Sequence, residues 1–452
     1  MNQPLRLHPE NPHYFEFRGR PAVLVTSGEH YGAVLNGDFD YRPYLDELAR
    51  QGFNQTRTFA GTYREMAGSF KIEHNTLAPR PEGYLAPWPR SDAPGAADGL
   101  NKFDLSQWNE AYFSRLKDFV GQAGRRGIVV ELVLFCPFYG PELWDICPMN
   151  ARNNVNGIGQ VDRDEPLTLR HADLVAVQDR LVRRIVSELN ACDNVYYEIC
   201  NEPYIKTLHP KTGYAADDWQ AHVAAVIAET EADRPRRHLI AQNIDNGSVQ
   251  VERPDANVSI LNFHYSNPPD SVALNWGLGR AIGFDETGFR GRDDLPYRCD
   301  GWDFLVAGGA VYSHLDYSYT AEHPGGTFAF VSSPSGGGPV LRRQLAILKR
   351  FIESFDFLRM RPDNTFILGG IPEGATARAL ADPGRAYAVH VRGGRQARLG
   401  LRLPAGTYLA EWVNPLTGNV DQSERLEHGG GSAYLAWPEY AGNTALRILA
   451  GK

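Results

Sequence analysis

Short apolar segments alternate with amphipathic segments over roughly the first 355 of the 452 residues, and this alternation constrains the fold more than any other feature of the sequence. The apolar segments are five to eight residues long and are bounded by turn-forming residues, as buried strands are. They span residues 21–27, 53–59, 128–135, 194–200, 238–242, 259–265, 280–284 and 310–317. This part of the chain is therefore predicted to contain eight strands.

The segments between these strands carry apolar residues at intervals of three and four, which predicts helices. The first helix begins after Asp40, a preferred N-cap residue, and ends at Gly52, with Tyr44, Leu45 and Leu48 on one face. Further helices are predicted around residues 108–119, 174–185, 219–227 and 341–352. Strands that alternate with helices in this way pair in parallel through right-handed crossovers.

Eight such units favour a closed (β/α)8 TIM barrel over an open, doubly wound sheet. No glycine-rich dinucleotide-binding or phosphate-binding loop follows the first strand, so a nucleotide-binding open sheet lacks its usual sequence support. After about residue 357 the pattern changes to period two, in segments 386–392, 399–403, 407–413 and 445–450, with a hairpin turn at 414–418. We therefore predict a barrel domain at residues 1–356 and a small all-β sandwich domain at residues 357–452.

Charge and composition exclude several classes of protein. The net charge is −8, from 46 Lys and Arg against 54 Asp and Glu, which argues against a nucleic-acid-binding protein because such proteins present a basic face. No apolar run approaches the roughly 18 residues of a membrane span, so no membrane partner is expected. The five cysteines are widely spaced and include no CxxC pair, which argues against a disulfide framework and against a structural zinc site.

The first 17 residues, MNQPLRLHPENPHYFEF, lack the basic and apolar regions of a secretory signal peptide. The expected location is therefore the cytoplasm. An exported form from which the leader has been removed is the alternative.

Two carboxylates stand out among the polar residues at the carboxyl ends of the predicted strands, where barrel active sites form because eight loops converge there. Glu202 follows the fourth strand in YYEICNEP, and Glu286 ends the seventh in GFDETG. Across a barrel, strands four and seven can aim both side chains at one central point. Carboxyl groups roughly 5–5.5 Å apart suit retaining glycoside hydrolysis, and roughly 6.5–9.5 Å suits inverting hydrolysis. Salt bridges at the rim are the alternative role for this pair.

At these residues the sequence resembles the clan A glycoside hydrolases, the cellulase-like (β/α)8 superfamily. NEP at 201–203, preceded by YYEIC, is similar to the acid/base motif of that clan, and ETG at 286–288 is similar to its seventh-strand nucleophile. GFNQTR is similar to the second strand, in which an arginine (here Arg57) holds the nucleophile, and His264 and Tyr265 are similar to the sixth-strand pair. The resemblance covers about 350 residues and implies a retaining O-glycosyl hydrolase.

This resemblance implies that Glu202 is the acid/base and Glu286 the nucleophile, with no cofactor and no metal. As an acid Glu202 must hold a proton, so surroundings that raise the pKa of its carboxyl are expected. Glu286 must be ionised to attack, and a cation such as Arg57 favours that charge. Asn201 is expected to donate a hydrogen bond to the sugar 2-hydroxyl, and Tyr265 to donate one to Glu286.

Further residues are expected to bind the substrate or to support the site. Glu29 and His30 follow the first strand and either hold sugar hydroxyls or make hydrogen bonds at the rim. His264 bonds substrate or a neighbouring side chain, and the eighth strand ends in Tyr317 where many clan members have a tryptophan. Trp144 lies in the long loop after strand three, which with the loop after strand two is expected to wall the cleft and to favour exo action or short oligosaccharides.

Two other carboxylates near the pair are expected to be structural: Glu198 with its hydrogen bonds satisfied, and Asp285 pointing away from Glu286 if the strand is regular. The expected partner is an oligosaccharide or polysaccharide; the sugar, the linkage and the oligomeric state are left open. A carbohydrate-binding barrel without turnover is one alternative. A metal-dependent barrel hydrolase is another, although His30, His264 and His314 lack the spacing of metal ligands.

The segment GTYLAEWVNPLTGNV at 406–420 resembles the C-terminal collagen-binding-type β-sandwich that follows some barrels of this clan. The name of that domain is no warrant for collagen as a ligand. Tyr408 and Trp412 fall on one face of a predicted strand, and packing of that face against the barrel is expected in preference to carbohydrate binding.

Overall fold

The fold is a (β/α)8 barrel followed by an all-β domain, as the sequence predicts, in a computed structural model that describes residues 3–204, 214–396 and 398–451. All eight predicted barrel strands are present, each within a few residues of its predicted bounds. They are β1 Leu24–Gly28, β2 Gln55–Phe59, β3 Val129–Phe135, β4 Val195–Cys200, β5 Ile240–Asn246, β6 Ile260–His264, β7 Ala281–Thr287 and β8 Val311–Leu315.

The barrel strands are parallel, and their order is β1-β8-β7-β6-β5-β4-β3-β2. Asn54 closes the seam between β1 and β2. Its backbone N–H donates to the Val25 carbonyl (3.3 Å), and its side chain accepts from the Val25 N–H (3.0 Å) and donates to the Val23 carbonyl (2.8 Å). One asparagine therefore completes the ring, and the carboxyl ends of all eight strands meet around a common centre.

The described helices are α1 Tyr41–Gln51, α2 Glu110–Arg125, α3 Pro141–Asp145, α4 Ala172–Leu189, α5 Asp217–Glu231, α6 Asp270–Asn275, α7 Asp294–Val306 and α8 Pro339–Glu353. The first has the predicted caps: the Asp40 side chain accepts from the Arg42 N–H, and Gly52 adopts φ 85°. In the described part of the chain, no helix combines the length and the apolar character that crossing a membrane requires.

The periodicity of the sequence does not predict α3, α6 or α7. Ten of the thirteen residues of α7 are buried, so this helix lacks the exposed polar face that gives a surface helix its amphipathic pattern. Short antiparallel strands at Arg6–Leu7, Phe15–Phe17 and Arg20–Ala22 also precede the barrel, and a hairpin of Arg90–Pro94 and Asn101–Phe103 lies in the loop after β2. Two- to five-residue strands of this kind are too short to give a clear alternation.

The C-terminal strands are β9 Arg361–Pro362, β10 Ile367–Gly369, β11 Thr376–Asp382, β12 Ala386–Arg392, β13 Arg398–Val413, β14 Val420–Ala436 and β15 Asn443–Ala450. The prediction of separate strands at 399–403 and 407–413 is wrong, because β13 runs through both. The prediction also omits β14, which is mostly exposed and contains Gly429, Gly430 and Gly431, so its alternation is weak. The predicted turn at 414–418 is confirmed, since Gly418 donates to the Asn414 carbonyl between β13 and β14.

Tyr408 and Trp412 lie in the core of the all-β domain itself, with Leu401, Val389 and Ile448, and not against the barrel as expected. Both side chains are almost fully buried. The sheet can enclose this core because β13 pairs with β10 through its first half and with β15 through its second, while β14 runs along its other edge.

Arg115 on α2 organises the loop that follows β1. Its guanidinium is half-buried and donates to four backbone carbonyls of that loop, at 2.6–2.9 Å: those of Ala33, Val34, Asn36 and Phe39. Burial lowers the pKa of Arg115. One side chain thereby fixes the path of a loop that has no regular secondary structure of its own and that begins at the rim of the barrel.

Replacement of Arg115 by methionine should lower the free energy of unfolding by roughly 2–4 kcal/mol, because several carbonyls lose a charged donor at once. Urea unfolding of both proteins measures the difference. Arg125→Met is the matched control, since Arg125 lies on the same helix, is mostly exposed, and makes only a 3.8 Å ion pair with Asp118. Equal stability of the Arg115 and Arg125 variants would contradict the account of the loop.

Candidate active site

A cavity of about 220 Å³ opens at the carboxyl ends of the barrel strands. Glu202, two residues beyond β4, and Glu286, in β7, both line it. A carboxylate oxygen of Glu202, one of Glu286 and a ring nitrogen of His264 all lie within 4.8 Å of one another. The two glutamates are 84 positions apart in the sequence, yet they face each other across a single space.

Three donors hold Glu286. The Tyr265 hydroxyl donates to Oε1 (2.6 Å), and the Tyr31 hydroxyl and Arg57 Nη1 donate to Oε2 (2.8 and 3.3 Å). The contacts from Arg57 and Tyr265 are those that the sequence predicts. Tyr31 is a new member of the site, contributed by the loop after β1. Together the three donors fix the carboxylate and stabilise its negative charge.

Arg57 is buried on β2 and contacts more than Glu286. Its Nη2 donates to Glu198 (2.5 Å) and to the Asn201 side-chain oxygen (2.8 Å), and its guanidinium lies over the Tyr31 ring at 4.5 Å. The prediction that Glu198 is a satisfied structural carboxylate agrees with this contact. Asn201 has its oxygen directed to Arg57, and its amide nitrogen donates to the Tyr139 hydroxyl (2.9 Å).

Asp285 does not point away from Glu286, so that expectation is wrong. The register of β7 shifts between Phe284 and Thr287, which marks a bulge, and both adjacent carboxylates turn inward. Asp285 lies 3.3 Å from Arg57 Nε. Burial alone would raise the pKa of Asp285, but the charges of His264 and Arg57 outweigh it and hold that pKa at about 2.

Beneath the cavity a group of buried carboxylates meets one amide. Asn262 Nδ2 lies 2.7 Å from Glu131, 2.8 Å from Glu198 and 3.0 Å from Asp285. Burial, and then the charge of Asp285, raise the pKa of Glu131 to about 7, and burial also raises the pKa of Glu198. Because like charges this close disfavour joint ionisation, the group retains protons while Asp285 stays ionised.

Glu202 accepts two hydrogen bonds in the cavity, from His264 Nδ1 (3.0 Å) and from the Tyr139 hydroxyl (2.5 Å). Its backbone N–H donates to the Asn243 side chain (2.7 Å). Burial raises the pKa of Glu202, but the hydrogen bond and charge of His264 lower it by more. The pKa of Glu202 is therefore lowered, which is opposite to the predicted direction.

The pKa of His264 shifts in the opposite direction to that of Glu202. Burial lowers the pKa of the imidazole, but the charges of Glu286 and Asp285 and its hydrogen bonds raise it well above the usual value. His264 is fully buried and does not line the cavity. Of the two roles the sequence leaves open for it, bonding a neighbour fits and bonding substrate does not. A proton shared by this pair belongs to both groups and is not confined to one.

Three site residues adopt left-handed backbone conformations that side chains other than glycine disfavour. Tyr31 has φ 62°, Glu202 φ 37° and Tyr265 φ 49°. Each such residue costs on the order of 1–3 kcal/mol, and such conformations cluster at functional sites. All three lie just beyond a barrel strand, where the sharp change in backbone direction aims the side chain into the cavity.

The other predicted substrate-binding residues divide between cavity and core. His30 lines the cavity, and its Nε2 lies 3.3 Å from Glu65. Of the two roles that the sequence leaves open for Glu29, hydrogen bonding at the rim fits: its oxygens accept hydrogen bonds from the backbone N–H groups of residues 32 and 33 and from Thr76. Trp144 is likewise buried outside the cavity, with its indole N–H donating to the Val161 carbonyl (2.9 Å).

Tyr317 supports the wall of the cavity without lining it. The ring is 2% exposed and packs edge-on against His30 and Phe289, with centroids at 5.6 and 6.3 Å. The expected substrate contact of Tyr317 is therefore not present in this geometry. Tyr317 still contributes to the shape of the cavity, because its ring packs against His30 and Phe289, which line it.

Several cavity residues were not predicted as part of the site. They are Tyr31, Phe59, Tyr63, Glu65, Phe70, Leu77, Cys136, Tyr139, Asn246 and Phe289. Most lie in the loops after β1, β2, β3 and β7, where periodicity carries no information. For Tyr31, the signal available in the sequence is its position next to His30, a histidine at the rim of the barrel.

No family model matches the sequence, and no curated protein matches it. The structure is similar to a candidate glycoside hydrolase from Bacteroides vulgatus ATCC 8482, with 14% identity and a TM-score of 0.68, over 100% of this chain and 83% of that one.

Two further solved structures have the same architecture. A family 5 glycoside hydrolase from Bacteroides vulgatus ATCC 8482 has 13% identity and a TM-score of 0.63, over 99% of this chain and 93% of that one. A family 30 endoxylanase from Clostridium papyrosolvens C71 has 10% identity and a TM-score of 0.50, over the full length of both chains. Similarity at these identities establishes the shared fold.

The charge of His264 gives the site a defined pH dependence. Because its pKa is raised on folding, the stabilisation it contributes is fully present below the unfolded pKa of about 6.5 and is lost as the pH rises through the folded pKa. The difference in unfolding free energy between the wild type and His264→Gln should therefore shrink by up to about 1.4 kcal/mol per pH unit above pH 6.5. Urea unfolding between pH 6 and 9 measures this, and a constant difference would mean that the imidazole is neutral.

Proposed function

We propose that this protein is a retaining glycoside hydrolase in which Glu286 is the nucleophile and Glu202 the acid/base. The observation that carries the proposal is the approach of the two carboxylates to within 4.8 Å across one cavity. Retaining enzymes have carboxyl groups roughly 5–5.5 Å apart, whereas inverting enzymes need roughly 6.5–9.5 Å to admit a water molecule. The shared fold with solved glycoside hydrolases supports a carbohydrate substrate.

In the first step Glu286 attacks the anomeric carbon while Glu202 protonates the departing oxygen. Arg57, Tyr31 and Tyr265 keep the Glu286 carboxylate oriented through their hydrogen bonds to it. As the glycosyl ester forms, the negative charge on Glu286 disappears. In the second step the ester breaks and this charge returns, and the same donors favour that step because they stabilise the charge. The same contacts thus serve both halves of a double displacement.

The proton for the leaving group comes from the His264–Glu202 pair. The raised pKa of His264 favours the proton on its imidazole, whose Nδ1 contacts Glu202 Oε1 at 3.0 Å. A bound sugar displaces water from the cavity, which disfavours the separated charges of the pair and moves the proton to the carboxylate. After the leaving group departs with this proton, the ionised Glu202 activates a water molecule for the second displacement.

The size of the cavity supports action on a terminal sugar residue or on short oligosaccharides. Its volume of about 220 Å³ lies below the roughly 300–1,000 Å³ typical of pockets for drug-sized ligands, so one sugar ring fills it. Phe70, from the loop after β2, and Phe289, from the loop after β7, approach each other at the cavity with ring centroids 6.3 Å apart. These two loops narrow the path along which a long polysaccharide would have to pass.

A metal-dependent hydrolysis is the second candidate, because Glu202, His264 and Glu286 present three donor atoms within 4.8 Å. The contacts already made by the carboxylates oppose it. Arg57 and Tyr31 donate to one oxygen of Glu286, and the Tyr139 hydroxyl donates to Glu202. Loss of turnover after dialysis against a chelator, restored by a divalent cation, would support this candidate over the first.

The two glutamates should respond differently to the leaving group. Glu202→Ala should slow hydrolysis of poor leaving groups, such as methyl glycosides, far more than that of dinitrophenyl glycosides, which need little protonation. Glu286→Ala should slow both by several orders of magnitude. A panel of aryl glycosides of glucose, galactose, mannose, xylose and arabinose first identifies a substrate. Equal losses across leaving groups in Glu202→Ala would contradict the acid assignment.

A further inference from the structure

One carboxylate on α7 joins three separate parts of the chain. Asp300 is 2% exposed and accepts hydrogen bonds from Asn267 Nδ2 (2.5 Å), Arg290 Nη1 (2.5 Å) and Arg392 Nη1 (3.0 Å). Asn267 lies in the loop after β6, Arg290 in the loop after β7, and Arg392 in the all-β domain. We call these four residues the Asp300 junction.

The contribution of the all-β domain to the junction is firmly anchored. Arg392 Nη1 also donates to the side-chain oxygen of Asn267 and to Asp303 Oδ2, both at 3.2 Å. Two residues earlier on β12, His390 is fully buried and contacts Asp303 Oδ1 at 2.7 Å and Asn443 at 3.0 Å. The interface between the domains is therefore a polar, buried network with defined geometry, which differs from a flexible tether.

The other side of the junction leads to the nucleophile in two short steps. The Asn267 N–H donates to the Tyr265 carbonyl (2.8 Å). The Tyr265 N–H donates to the Glu286 carbonyl (3.1 Å), and the Tyr265 hydroxyl donates to the Glu286 carboxylate (2.6 Å). Tyr265 holds its disfavoured φ of 49° within this set of contacts, so the loop needs restraint from outside to keep that conformation.

We propose that Arg392 is a positioning residue, through which the all-β domain holds Tyr265 against Glu286. The inference rests on the proposed function for its effect on turnover, and on geometry alone for its effect on the loop. The all-β domain then acts as a brace for the active site. Its candidate sugar-stacking residues, Tyr408 and Trp412, are buried in its own core, which removes the sequence-based reason to assign it a carbohydrate-binding role.

The charge balance of Asp300 explains why Arg392 is needed in addition to Arg290. Burial raises the pKa of the Asp300 carboxyl, and the two arginines oppose that rise. Without Arg392, the Asn267 side-chain oxygen loses its donor at 3.2 Å and Asp300 Oδ1 loses its donor at 3.0 Å, so Asn267 is held less firmly. The loss of this one arginine in the all-β domain therefore weakens the restraint on the loop that carries Tyr265.

The first test compares Arg392→Ala with Arg378→Ala. Arg378, on the neighbouring strand β11, also makes an interdomain ion pair, with Asp270 (3.3 Å), but it has no contact with the junction. Arg392→Ala should lower kcat roughly tenfold to a hundredfold and leave KM within about twofold, because a small misplacement of a site group slows chemistry more than binding. Arg378→Ala should leave both unchanged. Equal effects of the two substitutions on kcat would overturn the proposal.

A double-mutant cycle with Tyr265→Phe separates positioning from general destabilisation. If Arg392 acts through the Tyr265 hydroxyl, Arg392→Ala should lower kcat far less in the Tyr265→Phe background than in the wild type. Arg392→Lys should restore most of the lost activity, since every Arg392 contact to the junction comes from one nitrogen and an ammonium group carries three donors. Additive losses in the cycle would overturn the proposal.

Hydrogen exchange of the full-length protein, followed by mass spectrometry, tests the brace without any substrate. The peptide that contains residues 265–268 should exchange faster in Arg392→Ala than in the wild type or in Arg378→Ala. If Arg392→Ala does not fold, Asn267→Ala breaks the same connection from the barrel side and should give the same exchange and kcat changes. Unchanged exchange in this peptide would refute the positioning role of Arg392, even if glycosidase activity is confirmed. Faster exchange in Arg392→Ala, combined with no turnover by the wild type, would refute only the proposed glycosidase activity.

Discussion

The ion cluster around the Arg57 guanidinium is the constraint on which the rest of the site depends. This buried cation contacts Glu198, Asp285 and Glu286, and its position on β2 lets it reach carboxylates from β4 and β7 at once. A buried charge is costly unless it is paired and hydrogen-bonded, so the strands that carry these groups must keep their relative positions. The position of the Glu286 carboxylate is therefore fixed by the strands of the barrel wall.

The pKa values in the cluster follow from the same constraint. Five carboxylates lie close to two cations, Arg57 and His264, so full ionisation would leave an excess of negative charge. The raised pKa values of Glu131 and Glu198 reduce that excess, whereas the pKa of Asp285 is held at about 2. The acid/base chemistry proposed above needs only one proton to move, over the 3.0 Å between His264 and Glu202. The Asp300 junction extends the same principle to the loops, because one buried carboxylate there fixes the segment that carries Tyr265.

Sequence reasoning identifies what strand periodicity and strand ends determine. The eight barrel strands, the pairing of Glu202 with Glu286, and the contacts of Arg57 and Tyr265 with Glu286 all follow from the positions of residues on the strands or at their ends. Residues in irregular loops could not be placed, so Tyr31 and Tyr139 were missed and Trp144 was assigned to a cavity that it does not reach. The orientation of Asp285 was mispredicted because a bulge in β7 breaks the alternation of side chains. The direction of the Glu202 pKa shift was mispredicted because the ring of His264 approaches the carboxylate from another strand. Helix α7 is buried on nearly all sides and therefore shows no amphipathic pattern, so neither the helix nor the role of its Asp300 could be predicted.

The most direct test of the central claim is to trap the covalent intermediate on Glu286. A 2-deoxy-2-fluoro glycoside with a dinitrophenyl leaving group, built on the sugar that the wild type hydrolyses fastest, slows both steps but slows the breakdown of the ester more. Mass spectrometry of the digested protein should show one fluoroglycosyl unit on the peptide that contains residue 286, and none in Glu286→Gln. Attachment to any other residue, or turnover of the natural glycoside with inversion and no labelled peptide, would contradict the account.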